Sequence, residues 1–85
     1  MTNQESPPRA LVVDDEPDLR ELLEITLSRM GMAVDTAEDL ASARRLLATG
    51  GPFAVCLTDM RLPDGNGLSL IQEISRDPSG VSVKL

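Results

Sequence analysis

Three acids stand where chemistry could be done. Asp14 and Asp15 follow directly on the apolar run Ala10-Leu11-Val12-Val13, and Asp59 ends a second such run, Phe53 to Thr58. The chain has no His, Trp or Tyr, which removes His-activated nucleophiles and His-containing zinc signatures and leaves carboxylate chemistry. Carboxylates gathered in one crevice repel each other unless they take up protons or share a divalent cation. Oxygen-only ligands, with room left for water and a further anionic oxygen, suit Mg²⁺ better than zinc or a dedicated Ca²⁺ cage.

The surrounding pattern predicts how these acids are positioned. Ala10 to Val13 reads as a buried parallel strand, stopped by Asp14-Asp15-Glu16-Pro17. Pro17 suits the first turn of a helix, and Glu16, Asp18 and Glu21 lie near its positive end. Leu19, Leu22, Leu23, Thr26, Leu27 and Met30 recur at spacings of three and four, and Gly31 supplies the stop. A weaker strand over Met32 to Thr36 and a helix over Ala37 to Thr49 follow, the latter with Leu40, Ala43, Leu46 and Leu47 inward and closed by Gly50-Gly51-Pro52. Phe53 to Thr58 is the third strand and Met60 to Asn66 a Pro- and Gly-bearing loop. Gly67 to about Arg76 is a third helix with Leu68, Ile71 and Ile74 on its buried side. After an Asp77 to Gly80 turn, Val81 to Leu85 reads as the start of a fourth strand. This βαβαβαβ alternation implies a parallel sheet covered by helices on both faces. In the flavodoxin-like strand order 2-1-3-4-5 the ligand crevice opens between strands one and three, so the two acidic strand ends should meet there.

Composition bounds the rest. With 85 residues there is room for one small core, and 8 basic against 14 acidic residues give a net charge of -6, which argues against direct binding of nucleic acid or an anionic membrane. The single Cys56 sits in an apolar run and reads as a buried small hydrophobe, in keeping with a reducing compartment and a cytoplasmic location. Met1 to Arg9 is polar, with Pro7 and Pro8, and reads as a flexible leader rather than a signal peptide. No segment approaches the ~20 apolar residues that span a bilayer.

Val12-Val13-Asp14-Asp15-Glu16-Pro17, the apolar run into Thr58-Asp59-Met60-Arg61-Leu62-Pro63, and Asp64-Gly65-Asn66-Gly67-Leu68 together resemble the receiver domain of bacterial two-component response regulators. Arg61 with Leu62-Pro63-Asp64 is most similar to the nitrogen-regulator type that activates sigma-54 transcription. The Arg20 to Leu27 and Leu57 to Gly65 stretches resemble regulators of type IV pilus genes. The resemblance implies a (βα)5 fold of which residues 10–85 carry the first three βα units and the start of strand four. It implies that Asp59 accepts a phosphoryl group from the phosphohistidine of a sensor kinase, small phosphodonors being possible alternatives. Asp15 would then be a direct Mg²⁺ ligand, Asp14 a support acting mostly through water, and the backbone carbonyl of Arg61 a further oxygen. Pro63, Gly65 and Gly67 would shape the loop. The module would promote its own phosphorylation and dephosphorylation rather than turn over a substrate, and the parent would carry an ATPase and DNA-binding output. The family's switch hydroxyl at the end of strand four and lysine at the end of strand five have no counterpart: Ser82 and Lys84 fall too early for either.

Plainer readings stand beside these. Alone, an Asp-Asp pair ahead of a helix is a capping and dipole device. The second acid at the matching strand end, with Leu-Pro-Asp and a following Gly, is what turns the reading toward a phosphoacceptor. Asp64, Gly65, Asn66 and Gly67 are by default turn residues. The Arg61 side chain is either solvated or a group at the pocket mouth that tunes phosphate lifetime. A haloacid-type hydrolase needs a second Asp where Arg61 stands, and a calcium loop from Asp59 needs oxygens where Arg61 and Pro63 stand. A non-signalling remnant of a regulator, or an unrelated Mg²⁺-binding α/β module, are the remaining alternatives.

Overall fold

The computed structural model describes residues 7–49, 53–75 and 82–84. Most of the expected leader (residues 1–6), the Gly50-Gly51-Pro52 stop, the Asp77 to Gly80 turn, and Arg76, Val81 and Leu85 lie outside the described residues.

The elements follow in the order β1 (Arg9–Val13), α1 (Pro17–Arg29), β2 (Ala33–Ala37), α2 (Leu40–Thr49), β3 (Val55–Thr58), β4 (Arg61–Leu62), β5 (Gly65–Asn66), α3 (Gly67–Ser75) and β6 (Ser82–Lys84). Four strands make one parallel sheet in the order β2-β1-β3-β6, the doubly wound arrangement expected from the alternation. β1 lies at its centre, and the residues Ala10 to Val13 are fully or almost fully buried, which accounts for their unbroken apolar run.

Alternate residues of the strands feed two cores. Leu11, Val13, Ala37, Phe53 and Cys56 point to the side closed by α2, α3 and Leu62, where Leu40, Ala43 and Leu70 complete the cluster. Ala10 and Val12 point to the other side, where Leu27 of α1 is the buried partner, with Leu23, Met32, Val34, Val55 and Leu57 half-buried around it. Burial without a charged neighbour pushes the Cys56 thiol up from 9.0 to about 11, so it is packed as a neutral group.

Several boundaries and faces differ from expectation. Arg9, read as leader, opens β1 opposite Ala33, and its guanidinium pairs with Asp35 and lies 4.5 Å from the centroid of the Phe53 ring. Ala37, read as the start of the second helix, ends β2: it pairs with Val13, and its carbonyl accepts the Asp14 N–H at 3.0 Å. α2 begins at Leu40, where the Asp39 carboxylate caps the Ser42 N–H at 2.8 Å. On α1, Leu19 and Leu22 are exposed rather than inward, Leu22 by 58%, as is Met30 just past its end. On α3 Leu70 is buried and Ile71 half-buried, whereas Leu68, expected inward, is 42% exposed beside Asn66, which accepts its N–H at 2.8 Å; the side chain of Ile74 lies outside the described residues. The loop after β3 is not irregular but a small antiparallel hairpin, with Arg61 opposite Asn66 and Leu62 opposite Gly65.

Among the described residues, no helix is long and apolar enough to cross a membrane.

Candidate functional site

β1 and β3 are adjacent and parallel, with Val13 opposite Thr58, so the residues that follow them emerge side by side. The Asp59 N–H donates to the Val13 carbonyl at 2.9 Å, extending the ladder one step and fixing Asp59 next to Asp14. The result is a cluster in which Asp14, Asp15 and Asp59 each offer a carboxylate oxygen, all within 4.8 Å of one another. Asp14 is 5% exposed, whereas Asp15 and Asp59 are open to solvent.

Asp14 and Asp59 are held by different devices. One oxygen of Asp14 accepts the Glu16 N–H at 2.9 Å, and its backbone carbonyl accepts a guanidinium N–H of Arg20 at 2.8 Å, so the start of α1 is tied to the end of β1. Asp15 lies between these anchored neighbours. The Arg61 N–H points at Asp59 Oδ1 in a long contact of 3.4 Å. Thr58, buried beside Asp59, donates its hydroxyl to the Asp59 carbonyl at 3.0 Å. Below the acids a cavity of about 380 Å³ opens toward α1, lined by Val13, Leu19, Leu23, Leu57 and Thr58 as well as Asp14 and Asp59.

Glycine shapes the far side of the site. A Cβ on Gly67 would lie 2.0 Å from the Asp59 carbonyl oxygen, and the Gly67 N–H bonds the Met60 carbonyl at 2.8 Å. α3 can start directly against the Asp59 backbone only because that side chain is missing. Gly65 has φ 153°, and a Cβ there would lie 2.6 Å from Leu40 Cδ1, so the hairpin presses on the first residue of α2. Pro63 and Asp64 form the apex between the paired Leu62 and Gly65.

The three acids named from the sequence are thus together, Arg61 is adjacent through its amide, and Pro63, Gly65 and Gly67 form the hairpin and helix start. Ser82 and Lys84 are apart from them: β6 pairs Lys84 with Leu57, two positions before Asp59. Sequence reading missed Arg20 and Asp64. The Asp64 carboxylate accepts the N–H groups of Leu40 at 2.8 Å and Ala41 at 3.0 Å, with sequence separations of 24 and 23. From the sequence Asp64 read as a turn residue only. The donor set, oxygen-only and anionic, fits a hard divalent cation in both charge and ligand type.

A family model for the response regulator receiver domain matches residues 10–85. The chain belongs to that family. It is 60% identical over 68 residues to the response regulator protein PilR of Pseudomonas aeruginosa, covering 80% of this chain and 15% of PilR. It is 42% identical over 71 residues to the transcriptional regulatory protein AruR of the same species, covering 79% of this chain and 29% of AruR. The chain therefore spans less than a third of either relative. Among solved structures, the response regulator TrrA of Thermotoga maritima, in complex with Mg²⁺-BeF, superposes with a TM-score of 0.80 at 34% identity, over 89% of this chain and 65% of TrrA. The receiver resemblance carried by the acid-ended strands and the Leu-Pro-Asp-Gly loop is thereby shown, as is the flavodoxin-like fold.

Proposed function

We propose that this receiver domain takes a phosphoryl group from the phosphohistidine of a sensor histidine kinase onto Asp59. The observation that carries the reading is the convergence of three carboxylates at the carboxyl end of two neighbouring strands, a placement with no structural benefit of its own.

Asp15 and Asp59 would hold a magnesium ion directly, Asp14 would support it mostly through water, and the Arg61 carbonyl would add an oxygen. When bound, Mg²⁺ supplies positive charge against the carboxylates and the phosphoryl oxygens. The chain's own work is positional, as phosphoryl transfer requires. The Val13 carbonyl and the Gly67 contact hold the Asp59 backbone, so its carboxylate faces outward to the donor. A carboxylate oxygen of Asp59 attacks phosphorus, the phosphorus–nitrogen bond to the histidine breaks, and the imidazole keeps the bonding pair. Arg61, exposed two residues on, would stand at the mouth of the site, where its charge would tune the lifetime of the acyl phosphate.

The similarity to PilR and AruR supports a parent that regulates transcription, and the similarity to PilR supports the sigma-54, pilus-regulator type with ATPase and DNA-binding output. A cytoplasmic location follows from that role. TrrA's complex with Mg²⁺-BeF supports Mg²⁺ here.

Incubation with a small phosphodonor and Mg²⁺ tests the assignment. The natural sequence should acquire a base-labile phosphate that hydroxylamine releases and a chelator prevents, and Asp59→Asn should acquire none. Equal labelling of the two would overturn it.

A further inference from the structure

The hairpin after Asp59 is anchored at its apex to a helix distant in sequence. The Asp64 carboxylate takes both N–H groups of Leu40 and Ala41, at 2.8 and 3.0 Å, supplying two of the partners that the first turn of α2 lacks. Those amides, foremost that of Leu40, hold the Asp64 carboxyl below the usual carboxylate range, and the nearby Arg44 guanidinium adds to the effect. Two further contacts bind the same pair of elements. Leu62 of β4 is buried in one cluster with Leu40, and Gly65 sits so close to Leu40 that a Cβ would lie 2.6 Å from its Cδ1. One turn further along α2, Arg44 forms a bidentate pair with Glu73 of α3, its closest contact 2.7 Å.

α2 already has a local cap. Asp39 satisfies the Ser42 N–H at 2.8 Å, so Asp64 is not needed simply to begin the helix. Its distinguishing feature is where its backbone goes. From Asp64 the hairpin runs back through Leu62 to Arg61 and Met60, and its other arm returns through Asn66 to Gly67, whose N–H bonds the Met60 carbonyl at 2.8 Å. The hairpin is therefore a short lever with its tip on α2 and its base beside Asp59.

We propose that Asp64 is a positioning residue, which clamps the hairpin to α2 and so sets where the Arg61 backbone stands relative to the three acids. The inference rests on the reading of the acids and the Arg61 carbonyl as a Mg²⁺ site. Through this clamp, displacement of α2 would move the metal-binding backbone without any change in the acids themselves.

Mg²⁺ titration of the full-length protein, followed through its backbone amide NMR signals, separates clamping from general loss of helix stability or of charge. Asp64→Ala should weaken Mg²⁺ on the order of tenfold, the lower range for loss of an outer-shell partner. It should also shift the Met60, Arg61 and Leu62 amides before any metal is added. Asp64→Asn, which keeps an acceptor but not the charge, should recover most of the affinity. Asp39→Ala, which removes the local cap of the same helix, should lower Tm yet leave Mg²⁺ affinity and those three amides unchanged. Unchanged affinity in Asp64→Ala, equal losses in Asp64→Asn and Asp64→Ala, or the same loss in Asp39→Ala would each overturn the clamp while leaving the site intact. Failure of the unsubstituted protein to bind Mg²⁺ would instead overturn the site, and the clamp with it.

Discussion

The two ends of the parallel sheet treat charge in opposite ways. Near the amino end, Arg9 of β1 meets Asp35 of β2 and lies over the ring of the buried Phe53, so a cation is placed against an anion and an aromatic face. At the carboxyl end, Asp14, Asp15 and Asp59 are brought within 4.8 Å of one another. One end is arranged for folding. The other carries a repulsion that folding alone would remove, and departures from local consistency of this kind concentrate at functional sites.

Backbone packing sharpens the contrast. Gly67 lets α3 start against the Asp59 carbonyl, so Gly67→Ala must displace one or the other. The substitution should destabilise the fold by about 3 kcal/mol, the upper part of the usual range for overpacking, and should also weaken Mg²⁺ binding, measured by denaturant unfolding and metal titration. A Gly67→Ala variant that binds Mg²⁺ normally would remove the case for close backbone contact as part of the site.

The amino end should respond in one currency alone. Arg9→Met keeps apolar cover over Phe53 while losing the ion pair, a partly exposed one. Its stability should fall by about 1 kcal/mol or less, with no change in Mg²⁺ affinity or phosphorylation. A change at the acidic end would mean that the two ends are coupled through β1.

Much of this contrast could be read in the sequence because it follows from short-range pattern. Apolar runs that end in acids gave the strands, the alternation gave a parallel sheet, and the flavodoxin-like strand order put Asp14 beside Asp59. Features set by tertiary partners were harder to see. Ala37 has a good helix propensity, but pairing with Val13 keeps it in β2. Leu68 was expected inward and is exposed, while Leu70, which the spacing did not single out, is buried, a phase that the positions of the neighbouring elements decide. Arg9 looked like leader because its partners, Asp35 and Phe53, are far along the chain. Asp64 was legible as a turn residue and illegible as a cap, since the helix it caps lies 24 residues before it. The exposed leucines of α1 mark the limit of periodicity: spacing identifies the apolar stripe but not how much of it is covered.

The central claim is that the three carboxylates form one cation site whose repulsion is relieved on binding. Thermal unfolding with and without Mg²⁺ tests it most directly, with Asp15→Asn as the comparison. The natural sequence should gain stability with rising Mg²⁺, reaching about 2.7 kcal/mol at a hundredfold excess over Kd. Asp15→Asn should melt higher than the natural sequence in chelator and lose most of the response to Mg²⁺. If the natural sequence is indifferent to Mg²⁺, or Asp15→Asn responds as strongly as it does, the three acids are not one site.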